Sequence, residues 1–228
     1  MIVALETAFG DIVPLIPEEE GLRGKELEYL RQLAAGPRDR ELSPKGPWEL
    51  IRGDGLLFSA PHEAAQLRDG IEKIAERGTA DLAFALARAT GGSALATADR
   101  QLGDPNWDIG HPYIARAGTL AGEWPTIDLH IMRPRGLEIC IGLGPKPKMS
   151  DDLWRPFVEE AVASGLRVSV NWPFAANART VTGQLQRGGR RAIQLELSWE
   201  CYDPSHPAMR RAWSSLARAS RRLGRSTG

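Results

Sequence analysis

The chain has 228 residues, enough for one domain of ordinary size with a sizeable core. At 42% hydrophobic and 25% charged residues its composition is that of a globular protein, which excludes a disordered or fibrous chain. Its 29 basic and 29 acidic residues cancel, so the electrostatic footprint of a binder of nucleic acid or of membrane surfaces is missing, and neither partner is expected.

Lysine occurs only at Lys25, Lys45, Lys73, Lys146 and Lys148; the other basic residues are arginines, whose planar fork suits small acidic ligands. Cys140 and Cys201 stand far apart in apolar contexts and read as buried free thiols. The opening MIVALETAFGDIVPLIPEEE is too acidic and too interrupted for a secretion signal. No run reaches the roughly eighteen apolar residues of a membrane span, so a cytoplasmic location is expected.

In chain order, Leu27, Tyr29, Leu30, Leu33 and Ala34 recur at helical spacing and predict an amphipathic helix over about 24–35. The Pro- and Gly-rich stretch 36–47 reads as a loop. It closes a preamble, 1–47, before the main body, 48–228, of a single domain. Trp48–Arg52 and Leu56–Ala60 flank Gly53-Asp54-Gly55 and predict a β-hairpin. A helix follows over about 79–89 with Thr79 as its N-cap, then a strand at Ala94–Thr97 and a helical turn at 111–118. Strands are predicted at Thr126–Met132 and Leu137–Ile141, a helix at 151–163, strands at Arg167–Asn171 and Ala192–Trp199, and a last helix over 207–223 whose arginines read as a solvated face. This alternation predicts an α/β fold, a mixed and mostly parallel sheet covered on both faces, with ligands at the carboxyl ends of the strands.

Only four histidines are present, and two stand where such a fold binds ligands. His62 follows the apolar strand 56–60 and so lies at its carboxyl end. In Thr126–His130 the period of two puts Asp128 and His130 on one face, the pairing of a metal ligand with the carboxylate that orients it. A third ligand near His62 is expected from Asp69, Glu72 or Glu76, the last just before a predicted helix start. Glu196 interrupts the apolar run Ala192–Trp199, sharing a face with Gln194 and Ser198; a buried carboxylate is costly unless paired or functional. His206 reads as a loop or cap residue and His111 as pocket-lining, while Phe174 and the tryptophans read as core.

Ser59-Ala60-Pro61-His62, Arg68-Asp69-Gly70, Lys73, Glu76, Gly78-Thr79, Asp104-Pro105-Asn106, Ile127-Asp128-Leu129-His130, Ile141-Gly142 and Ala192–Leu197, in that order, resemble the N-formylglutamate amidohydrolase family. Its wider relatives are the zinc carboxypeptidases and the phage poly-γ-glutamate hydrolases. The resemblance implies a zinc hydrolase of the phosphorylase/hydrolase-like, three-layer α/β/α fold. His62, Glu76 and His130 take the metal-ligand positions and Glu196 that of the general base and acid. The substrate implied is a small acidic N-acyl amino acid or a γ-glutamyl compound, with Asn106 among the binding residues. Two departures stand out: Glu76 stands fourteen positions after His62, far more than in the HxxE of carboxypeptidases, and Trp107 occupies the place of the arginine that follows the asparagine. The substrate carboxylate is then expected to meet Arg100 or Arg179. A catalytically inactive binding relative and a metallopeptidase trimming peptides or cell-wall cross-links are the competing readings.

Overall fold

The computed structural model describes residues 17–150 and 152–226, and the opening segment whose acidity was noted above lies outside them through residue 16. The elements in order are α1 (Pro17–Ala34), β1 (Asp39–Glu41), β2 (Trp48–Ile51), β3 (Leu57–Ala60), β4 (Gln66–Arg68), β5 (Ile71–Lys73), α2 (Thr79–Thr90), β6 (Ser93–Thr97), α3 (Pro112–Ala121), β7 (Thr126–Met132), β8 (Ile139–Gly142), α4 (Trp154–Ala163), β9 (Val168–Val170), α5 (Val181–Arg187), β10 (Ala192–Ser198) and α6 (Pro207–Ser226). Eight strands form one sheet in the order β1-β2-β6-β3-β7-β10-β8-β9, and β4 and β5 form a separate hairpin. The central pairings β6–β3, β3–β7 and β7–β10 are parallel, as is β8–β9; β1–β2, β2–β6 and β10–β8 are antiparallel.

Alternation along the strands builds two different faces. Phe58, Ala60, Ile127, Leu129, Ile193, Leu195 and Leu197 are fully buried beneath the helices α1, α2, α4 and α6. Each of the leucine, isoleucine and phenylalanine side chains among them contributes about 1.5–3 kcal/mol by leaving water. On the other face Leu57 and Leu95 pack against Tyr113 and Ala117 of α3 and against Val181 and Leu185 of α5. The result is the expected three-layer α/β architecture. The second face also receives the polar residues between the apolar ones, Ser59, Asp128, His130, Gln194 and Glu196, all buried. Cys140 and Cys201 are buried free thiols. Among the described residues no helix is long and apolar enough to cross a membrane.

Several local expectations are corrected. The strands 48–51 and 57–60 do not pair with each other, because β6 enters between them, antiparallel to β2 and parallel to β3. Gly53 and Asp54 bond instead to the 91–93 segment, through Ser93 Oγ at 3.0 Å and Gly91 O at 2.9 Å. The backbones of Gly53 and Gly92 pass so closely there that a side chain on Gly53 would strike the Gly92 carbonyl. The preamble is not set apart: Leu27, Leu30 and Ala34 belong to the main core and β1 to the main sheet. Thr79 lies inside the first turn of α2 rather than capping it. The N-cap residue is Gly78, and the capping acceptor comes from Glu63, whose Oε2 accepts from the backbone N–H groups of Gly78 (2.9 Å) and Ala80 (2.8 Å) and from Thr79 Oγ1 (3.2 Å).

The arginines of α6 are not merely solvated. Arg218 and Arg222 bond to Glu160 (2.9 and 3.1 Å), Arg222 also to Glu159 (2.6 Å), and Arg218 and Arg221 to Glu26 (3.4 Å each), tying α6 to α4 and α1. Trp48 and Trp213 are core, as expected, but Trp172 and Trp199 are 57% and 50% exposed.

Candidate metal and active site

His62 sits two residues past the end of β3, at the carboxyl edge of the sheet. From there the chain makes the β4–β5 hairpin and returns, and the Glu76 N–H donates to the His62 carbonyl at 2.7 Å. The hairpin turns on Asp69-Gly70, both at positive φ (49° and 78°), the backbone that an Asp-Gly two-residue turn supplies. This excursion accounts for the long interval between the histidine and the glutamate.

Glu76 meets both histidines, Oε1 lying 2.9 Å from His62 Nδ1 and Oε2 3.1 Å from His130 Nδ1. Oε2 also accepts the Ile131 N–H at 3.0 Å, which fixes the carboxylate to β7. The imidazoles meet edge to face with centroids 4.9 Å apart. One donor atom from each of His62, Glu76 and His130 lies within 4.8 Å of the other two. The far nitrogens face carboxylates: His62 Nε2 is 2.9 Å from Asp104 Oδ1 and His130 Nε2 is 3.0 Å from Asp128 Oδ2. A carboxylate at Nε2 holds the proton there and leaves the Nδ1 lone pair free to ligate. Two such nitrogens and one carboxylate oxygen fit zinc. Of the three carboxylates considered from sequence, only Glu76 joins the histidines. Asp69 accepts from Trp107 Nε1 at 2.7 Å, and Glu72 pairs with Arg100 at 3.0 Å.

Burial opposes charge on every member, and the partners outweigh it. The two imidazoles hold the Glu76 carboxyl well below its ordinary range despite its burial. Burial lowers the histidines, yet Glu76 and Asp104 raise His62 overall, and Asp128 and Glu76 raise His130 well above its ordinary value. Arg68 adds to the support of His62, pairing with Asp104 through Nε (2.7 Å) and Nη2 (2.6 Å).

Glu196 stands beside this cluster. The β7–β10 register places it opposite His130, and Gln194 opposite Asp128. Its Oε1 accepts from Gln194 Nε2 at 2.6 Å. Burial pushes the Glu196 carboxyl up, with His130 pulling partly against it.

The three residues expected at the substrate fare differently. Asn106 is engaged within the fold, its Oδ1 accepting the Val181 N–H at 2.6 Å; its Nδ2 lies 3.0 Å from His130 Nε2, a nitrogen whose proton already faces Asp128, so this is a close approach between two donors rather than a bond. Arg100 is not brought to the cluster, being paired with Glu72 where both side chains are more than half exposed. Arg179 lies 4.2 Å over the Trp107 ring, which Arg68 also approaches, at 4.9 Å. Among the described residues Arg179 has no acidic partner. Asp104 and Arg68 lay within the motifs of the resemblance, but nothing in their spacing announced that they face each other. His111 and His206 cap α3 and α6, accepting at Nδ1 from Tyr113 N and Ala208 N (3.2 Å each).

With this geometry in view, the chain is similar in structure to an N-formylglutamate amidohydrolase from Ralstonia eutropha, at 16% identity and a TM-score of 0.57, over 79% of this chain and 98% of that one. It is similar also to a bacteriophage poly-γ-glutamate hydrolase, at 14% identity and a TM-score of 0.54, over 82% of this chain and 92% of the other. It shares their fold. No family model and no curated protein matches the sequence. The resemblance carried by the motifs therefore holds at the level of architecture.

Proposed function

We propose that the chain is a zinc-dependent amidohydrolase that cleaves an N-formyl, N-acyl or γ-glutamyl amide of a small acidic amino acid. The observation that carries this reading is the convergence of two carboxylate-backed Nδ1 atoms on Glu76, with the buried Glu196 one strand away. The names of the two structural neighbours point the same way, since both refer to amides of glutamate.

His62, Glu76 and His130 would hold the ion. Bound there, zinc supplies a Lewis acid that acidifies water and polarises a carbonyl. Glu196 takes the proton of the attacking water and delivers it to the leaving amine, a double role that suits a carboxyl raised by burial. Arg179, carried on Trp107 and unmatched by any acid among the described residues, binds the substrate carboxylate through its fork.

The test is elemental analysis of protein refolded with zinc, followed by hydrolysis assays on N-formyl-L-glutamate, N-acetyl-L-glutamate and a γ-glutamyl dipeptide. About one zinc per chain and turnover of one of these amides are expected. A folded protein without stoichiometric metal overturns the reading, and a zinc-loaded protein inert toward all three favours the binding relative.

A further inference from the structure

The histidine pair is backed unequally. Asp104, behind His62, is neutralised by Arg68, whereas Asp128, behind His130, has no cationic partner among the described residues other than that histidine. Hydroxyls stand in its place. Ser59 Oγ donates to Asp128 Oδ1 at 2.9 Å. Tyr113 Oη lies 3.0 Å from Ser59 Oγ and 2.8 Å from the Leu95 carbonyl. Ser59, Tyr113 and Asp128 are each 0% exposed.

We propose that Ser59 and Tyr113 are positioning residues for His130, an inference that rests on the zinc reading above. The Ser59 proton is committed to Asp128, so the Ser59 dipole points at the buried carboxylate and stabilises its charge where water cannot. The single Tyr113 proton is shared between the Leu95 carbonyl, at 2.8 Å, and Ser59 Oγ, at 3.0 Å, so that Tyr113 fixes the position of Ser59 Oγ. The Ser59 bond also fixes the rotation of the carboxylate. Oδ1 is held by β3, Oδ2 is left to His130 Nε2, and the imidazole plane follows, aiming Nδ1 at Glu76 Oε2. Tyr113 thus lets α3, which supplies no proposed ligand, set the direction of one.

The experiment measures zinc affinity of the full chain by competition with a chromophoric chelator, for the parent and for Asp128→Asn, Ser59→Ala, Tyr113→Phe and the double variant of Ser59 and Asp128. Loss of an outer hydrogen-bond partner of a ligating histidine weakens metal binding roughly 10–100-fold, which is the expectation for Asp128→Asn. Acting one bond further out, Ser59→Ala should weaken binding by up to about tenfold and Tyr113→Phe by less, with Ser59→Ala adding almost nothing once Asp128 is Asn. A merely structural hydroxyl would instead lower the melting temperature of the zinc-free protein and leave affinity unchanged. The inference is overturned if both single variants bind zinc like the parent, or if Ser59→Ala costs the same factor with Asp128 altered. Should Ser59→Ala fail to fold, Tyr113→Phe decides alone, since it removes one hydroxyl and keeps the ring. A parent chain that takes up no zinc overturns the functional reading and this inference together; a zinc-binding parent with unaltered variants overturns only the inference.

Discussion

Glu76 offers a different oxygen to each histidine, so neither imidazole can turn without losing a bond to the same carboxylate. Glu196 takes no part in that lattice. Its only hydrogen-bonded side-chain neighbour, among the described residues, is Gln194. Glu196→Gln should therefore leave zinc content and melting temperature unchanged while turnover falls roughly 10²–10⁴-fold, the usual weight of general acid–base catalysis. Because burial raises the Glu196 carboxyl, the acid limb of the rate profile should lie above the ordinary glutamate range, with activity rising as the carboxylate forms. A limb at or below that range would remove Glu196 as the base. The two arginines expected at the substrate should separate just as clearly. Arg179→Ala should raise KM by the worth of a charge-assisted contact, about 1.5–3 kcal/mol, while Arg100→Ala, which breaks only an exposed pair with Glu72, should leave steady-state kinetics as they are.

At the scale of elements, α2 begins on a side chain borrowed from the β3 loop. Glu63→Ala removes the acceptor of two backbone N–H groups and should cost about 1 kcal/mol in denaturant titrations; an unchanged midpoint would mean that water satisfies those N–H groups equally well. That cap shows why part of the structure could not be read in the sequence. Glu63 and Ala80 are far apart along the chain, and no local pattern joins them. The supposed hairpin at 48–60 failed for a related reason: Gly-Asp-Gly is good turn chemistry, but the partner of both strands arrives from residues 93–97. The turn that does form, Asp69-Gly70, is flanked by strands of three residues, too short and too polar to show a period of two. By contrast Asp128, His130 and Glu196 were legible because the long buried strands β7 and β10 keep strict alternation, so that polar residues within an apolar run are conspicuous, and His62 was legible from its place just past the apolar run 56–60. α5, seven residues rich in glutamine, had no apolar stripe to betray it.

Across the whole molecule, the three proposed ligands come from the β3 loop, the segment before α2 and β7, and they meet only when the sheet is complete. Zinc should bind the folded chain and not the unfolded one. At free zinc a hundredfold above Kd the gain is about 2.7 kcal/mol, which for a chain of this size should lift Tm by roughly 5–10 °C in calorimetry. No shift would disconnect the cluster from metal. The pH dependence has a definite sign. Without zinc both histidines have raised folded-state pKa values, so their contribution to stability is complete below the unfolded histidine range and is lost as pH rises through the folded values. Protons and zinc compete for the same Nδ1 atoms, so the stabilisation by zinc should grow over that interval.

The excursion from His62 to Glu76 begins and ends on a single backbone hydrogen bond, which makes it a closed cassette in the wall of the site. Doubling the length of such a loop costs only about 0.6 kcal/mol of closure entropy. Its contents can therefore be exchanged while both ends stay in place. Those contents here include Asp69, which anchors Trp107, and Arg68, which lies over the same ring, so they build the platform beneath Arg179. On the proposed reading the cassette serves both sides of the site: its tip at Asp69 can be rewritten to reshape the platform under Arg179 without moving a ligand, whereas Arg68 also holds the Asp104 carboxylate behind His62.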